Sequence, residues 1–163
     1  MFGLRRIRPG LGILLCVLAV AAGCTTSRFE PPSGGGSIAA PVKGDAARFA
    51  FAPIDGVPVV VLQAMSNALN QQATAQRLNV VPISDPSTVY TVRGYLSAIA
   101  EGQNAKFVYV WDVVDRQGTR LHRITGQEIG GPFRNNDPWT GIGMTNINNA
   151  AAATMGSLAK WVR

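Results

Sequence analysis

The chain has 163 residues, a formal net charge of +6 from 15 Lys and Arg against 9 Asp and Glu, and a composition that is 47% apolar and 15% charged. That length holds one domain, that hydrophobicity excludes a wholly disordered chain, and so little charge excludes a coiled coil. Two cysteines and one histidine leave no disulfide framework and too few ligands for a metal site of ordinary composition.

Residues 1–23 read as a secretion signal. Arg5, Arg6 and Arg8 make a basic opening, ILLCVLAVA follows as an apolar stretch, and small residues precede Cys24. The apolar run from Leu11 to Ala22 is about half of the roughly 20 residues that a spanning helix needs, so it is a signal and not an anchor. Ala21-Ala22-Gly23-Cys24 resembles a bacterial lipobox, with Ala21 where Leu is usual. The resemblance implies that Cys24 is acylated and becomes the new N-terminus. Cys16, preceded by Leu14 and Leu15, is an ordinary apolar residue of the signal. The mature chain then has one cysteine, its sulfur already a thioether, and no intramolecular disulfide. Two or three acyl chains suffice for lasting membrane attachment. Thr25, in place of Asp, implies the outer membrane by the sorting rule of enteric bacteria.

Residues 24–47 carry a Pro pair, a Gly triplet and scattered Ser and Thr, a linker composition with a coil reach of about 25 Å. The domain is expected over 48–163. From residue 24 onward 12 basic residues stand against 9 acidic ones, +3 in all and dispersed, so nucleic acid is not an expected partner.

In chain order, RFAFAPI (48–54) reads as a strand ending at Asp55-Gly56. Pro58 opens a helix, with Asp55 or its loop as the cap. Val61, Leu62, Met65, Ala68, Leu69, Gln72 and Ala73 recur at helical spacing and face a sheet. LNVVPI (78–83) is a second strand. VYTVRGYLSAIAEG (89–102) is a third, with Gly94 at a bulge or a close backbone approach. KFVYVWDVVD (106–115) is apolar on both faces and belongs inside the sheet. A turn at 115–118 leads to TRLHRITGQEIGG (119–131), a strand nearer an edge. A loop at 132–144 precedes a terminal helix with Ile147, Ala151, Met155, Leu158 and Val162 on one face. The expected fold is α+β: one small domain, β-α-β-β-β-β-α, a mostly antiparallel sheet of about five strands packed by two helices.

Chemistry is sparse. His122 lies between Arg120 and Arg123 on an edge-like strand, where a solvated cross-strand role is expected. Asp112 and Asp115 face opposite sides, and Asp112 is expected to pair with Arg93, Arg120 or Arg123. Phosphate-binding, nucleophile-elbow, zinc-protease and EF-hand motifs are lacking. No catalytic residue, cofactor or metal is expected. The interaction candidates are Arg116, Arg120 and Arg123 around the last hairpin, and Trp139, a loop tryptophan without an evident core position.

The lipobox, the tether, the element order, the Tyr90-x-Val92-x-Gly94-x-Leu96 strand and the following Asp-bearing strand and turn resemble small lipoproteins of alphaproteobacteria. More distantly they resemble the N-terminal domain of TolB and the related domain of the CsgG and LpoB lipoproteins. The resemblance implies a non-catalytic periplasmic module that binds an envelope protein, and it carries over no site residue. The alternative is a carrier of a lipid or lipopolysaccharide intermediate. An apolar cavity with arginines at its mouth points to the carrier, whereas a filled core with an exposed Trp139 points to the module.

Overall fold

Alternation of large apolar side chains decides the centre of the fold. Phe107, Tyr109, Trp111 and Val113 all point to one side of a long strand and are buried, and the elements that cover them form the hydrophobic layer. The computed structural model describes residues 37–163. The expected signal segment, Cys24 and the first part of the expected tether lie outside the described residues.

The strands are β1 (Arg48–Phe51), β2 (Asn79–Val80), β3 (Tyr90–Glu101), β4 (Asn104–Val114) and β5 (Arg120–Pro132). The helices are α1 (Val59–Gln76), between β1 and β2, and α2 (Met144–Val162), after β5. The α+β class and the β-α-β-β-β-β-α order hold. The five strands form one mixed sheet in the order β2-β1-β3-β4-β5. β1 is parallel to both neighbours, over short stretches, while β3, β4 and β5 form a long antiparallel meander. β5 is an edge strand and β4 an interior one, as their patterning requires.

Both helices pack on the Trp111 side of the sheet and on each other. α1 buries Val61, Met65, Ala68, Leu69 and Ala73. α2 buries a stripe that runs from Ile147 through Ala151, Met155 and Leu158 to Val162. Alanines on both stripes let the helix backbones approach closely. Each large side chain fully removed from water here, such as Phe49, Phe107 and Leu158, contributes about 1.5–3 kcal/mol of hydrophobic stabilisation. Asn146 fixes the start of α2: its Oδ1 accepts from the Gly143 N–H at 3.0 Å and its amide donates to the Ile129 carbonyl at 2.8 Å.

Three local expectations change. The second strand is only Asn79–Val80, because the Val81 N–H makes the last bond to β1, 2.8 Å to the Phe49 carbonyl, and Pro82 has no N–H with which to continue. Asp55 does not cap α1; Pro58 occupies the cap position without a side-chain bond, and Val59 and Val60 begin the helix exposed.

The end of the expected tether is docked, not free. The Ile38 N–H donates to the Leu121 carbonyl at 2.9 Å, and the Trp161 indole donates to the Ile38 carbonyl at 2.7 Å. The Tyr90 hydroxyl accepts from the Val42 N–H at 2.7 Å and donates to the Val42 carbonyl at 2.9 Å. Ala40 and Ala47 are buried. These bonds make residues 37–47 a strap over one end of the sheet, extending the folded unit N-terminal to residue 48.

Candidate interaction surface

Because side chains alternate along a strand, the face of β3, β4 and β5 opposite the helices carries the other set of residues. The register aligns them in cross-strand rows: Thr91, Val114 and Arg120; then Arg93, Asp112 and Arg123; then Tyr95, Val110 and Thr125; then Ser97, Val108 and Gln127; then Ile99, Lys106 and Ile129. Tyr95, Ile99 and Ile129 are about half exposed, at 57%, 46% and 56%. Among the described residues no helix covers this face.

The polar centre is Asp112. Arg123 holds it in a two-pronged bond, Nε to Oδ1 and Nη2 to Oδ2, both 2.6 Å, the geometry in which guanidinium and carboxylate match best. Arg120 Nε stands 4.0 Å from the same Oδ1, and Arg93 faces Asp112 from β3. The Arg123 hydrogen bonds hold the Asp112 carboxyl below its ordinary range; burial opposes this, and the charges of Arg123, Arg120 and Arg93 reinforce it. Three guanidiniums thus surround one buried carboxylate, and the face is cationic at this end. Beside it the Ala52–Asp55 segment rises over Arg93, Tyr95, Val108 and Val110 and bounds an open cleft of about 550 Å³.

The four residues expected at an interaction surface are not brought together. Arg120 and Arg123 lie on the open face, as above. Arg116 spends its guanidinium on backbone, donating to the Thr88 carbonyl at 3.0 Å and the Pro86 carbonyl at 3.2 Å, so it ties the hairpin turn to the loop before β3. Trp139 is half-buried and packs edge-on against Phe107, 6.1 Å between ring centres, on the helix-covered side of the sheet. It fills the core's rim instead of standing out as an anchor.

His122 is also not the solvated residue expected on an edge. It faces the helix side, stacked on Trp161 with ring centres 5.2 Å apart and planes 6° from parallel. Its Nδ1 lies 2.9 Å from Ser37 Oγ, its Nε2 is buried without a partner among the described residues, and burial pushes its pKa down. Sequence reasoning reached the charged members of this face, Arg93, Asp112, Arg120 and Arg123, and missed Tyr95, Val108, Val110, Ile99 and Ile129. Their signal is present in the alternation Arg93, Tyr95, Ser97, Ile99 along β3, but which face stays uncovered depends on where two helices land.

A second concavity, about 470 Å³, lies between α1 and the β1–β2 edge, lined by Phe51, Ile54, Leu62, Met65, Leu69 and Pro82 among others, with no charged residue. Among the described residues there is no group of three His, Cys, Asp or Glu placed to hold a metal, and no helix is long and apolar enough to cross a membrane.

A five-stranded mixed sheet with both helices on one face defines the architecture. It is similar to that of the PelC dodecamer from Paraburkholderia phytofirmans, at a TM-score of 0.51 and 10% identity, covering 78% of this chain and 95% of that one. A single-substitution variant of that PelC dodecamer in another crystal form gives 0.42 and 10%, covering 73% and 93%. At such identity the likeness is one of fold. No family model and no curated protein matches the sequence.

Proposed function

We propose that this chain is an outer-membrane lipoprotein, acylated at Cys24 and facing the periplasm, whose α+β domain binds another envelope component without catalysing a reaction and so acts in envelope assembly or regulation. The observation that carries the binding role is the uncovered β3–β5 face, where three arginines stand at one end beside half-exposed Tyr95 and half-exposed Ile99 and Ile129 lie at the other. An apolar patch rimmed by charge is the usual mark of an interaction site. The basic start, the apolar run and the small residues before Cys24 support the anchor.

Two measurements test the parts separately. Palmitate labelling and membrane fractionation of Cys24→Ser test the anchor; a variant that still labels and still sediments with membranes defeats it. Crosslinking in intact envelopes tests the binding role, which predicts a discrete protein adduct. A second reading, a carrier of lipid or lipopolysaccharide, draws on the mainly apolar groove of about 470 Å³ beside Leu62 and Met65, which has no arginine at its mouth. Recovery of lipid alone from the crosslinked protein selects it.

A further inference from the structure

Resting on the reading that this domain works by docking, we infer that its open sheet face takes an acidic, extended segment of a partner protein, with a carboxylate on Arg93 and Arg120 and apolar side chains over Tyr95, Val108 and Val110. Charge selects the acidic chemistry. Asp112 is already held at both oxygens by Arg123, while Arg120 is 4.0 Å away with 40% of its side chain exposed. Arg93 is exposed and makes no salt bridge among the described residues. Two guanidiniums therefore stand ready for a carboxylate that the domain does not itself supply, and guanidinium is the cation best shaped for one.

The apolar half of the partner follows from the next rows. One residue pair further along each strand from the arginines come Tyr95 and Val110, then Val108, then Ile99 and Ile129. The cleft under Ala52–Asp55 opens beside the first of these. A segment with carboxylates at one end and apolar residues at two-residue spacing matches this order.

The same face disfavours two other occupants. A flat anionic bilayer laid on it finds unpaired guanidiniums at one end alone, because Lys106 at the far end is already neutralised by Glu101. A second copy packed face to face by a two-fold axis brings the arginine rows either onto each other, where they repel, or over the far end, where Glu101 is already paired with Lys106.

The probe is a short labelled extended peptide with glutamate at the first two alternate positions and leucine at the alternate positions that follow, serine standing between them so that both kinds of side chain share one face, titrated by fluorescence anisotropy into the full chain in zwitterionic detergent. The expected result is saturable binding that weakens at least about tenfold when glutamine replaces glutamate, and by a similar factor in the Arg93→Ala, Arg120→Ala double variant, as for lost interfacial charge pairs. Both variant positions are exposed, and an unchanged melting temperature confirms that the fold survives. Equal affinity for the glutamine peptide, or no binding, overturns the inference. So does tighter association with phosphatidylglycerol vesicles that the two arginine changes abolish, or self-association abolished by them. A photo-crosslinking residue at position 66, in the uncharged groove, separates the two levels: protein captured there, with the peptide failing on the sheet face, removes this inference and leaves the docking role. Failure of the peptide together with capture of no protein from position 66 or position 95 removes both.

Discussion

Gly94 lies against the indole of Trp111: a β carbon built on it overlaps the edge of the Trp111 six-membered ring and the end of the Ile54 side chain. Trp111 is opposite Gly94 in the β3–β4 register and fully buried, so the ring lies across the neighbouring strand instead of standing upright. Phe51 meets it edge-on at 5.5 Å. The same arrangement recurs one strand over, where Tyr109 lies across Gly126 of β5. Gly94→Ala forces the indole out of its bed, and the expected cost is about 1–3 kcal/mol or more. Chemical denaturation measures it, and an unchanged midpoint contradicts the packing described.

The Asp112 and Arg123 pair sets an acid limit. The folded-state pKa of Asp112 is lowered, chiefly by the Arg123 hydrogen bonds, so its contribution is fully present above the unfolded value near 4 and is lost as pH falls through the folded one. Stability is expected to be flat in this group's contribution from neutral pH to about 5 and to decline below about 4. Asp112→Asn removes that part of the acid decline and costs about 1–3 kcal/mol at neutral pH, because a paired buried charge is lost. Denaturation midpoints of both proteins across the acid range check it. Arg123→Ala is expected to be the more harmful change, since it leaves the carboxylate buried and without its main partner.

How far the amino-acid sequence discloses this molecule depends on the range of the interactions involved. α1, α2 and the β3–β5 meander are written locally, in three- and four-residue spacing and in alternation, and they occur close to where those patterns put them. The placement of β1 between β2 and β3 is not local: Phe49 pairs with Val80 on one side and Tyr90 on the other, and nothing within RFAF names either. The strap failed for a similar reason. Ser37 to Ala47 has the composition of a linker, yet its backbone is held by Leu121, Tyr90 and Trp161, partners 48 to 123 residues away. Arg116 and Trp139 looked available because their partners, the Pro86 and Thr88 carbonyls and Phe107, are likewise distant in sequence.

Tyr90 is the strap's central clamp, since one hydroxyl both accepts from and donates to Val42. Tyr90→Phe keeps the ring contacts with Phe49 and Trp161 and removes both bonds. The expected loss is about 1 kcal/mol, with faster hydrogen exchange at the amides of Val42 and Ile38. Burial raises the Tyr90 pKa, partly offset by the bond from the Val42 N–H. A raised acid pKa gives stability that is present below the unfolded value of 10.0 and is lost as pH rises through the folded one. The alkaline decline is therefore expected to shrink in Tyr90→Phe. It persists in part because Tyr109 is raised as well, by burial and then by the Glu128 charge.

At the other end of the strap, His122 makes the docking sensitive to mild acid. Its ring lies flat on Trp161, whose indole N–H carries the bond to the Ile38 carbonyl, and its Nδ1 meets Ser37 Oγ. Burial lowers the His122 pKa from 6.5, because the imidazolium would lose its hydration there. For a base with a depressed folded pKa the unfolded chain takes up the proton first. The contribution is thus whole above about pH 6.5 and falls away as the pH drops through the folded value. Acidification from about pH 7 to about 5 is expected to lower the unfolding midpoint and to speed exchange of the Ile38 N–H before that of the β4 core. His122→Phe keeps an aromatic ring on Trp161 but cannot take up a proton, so its midpoint is expected to stay level over the same interval. Exchange rates at Ile38 that are indifferent to pH in the native protein, once intrinsic exchange chemistry is corrected for, contradict a role for His122 in holding the strap.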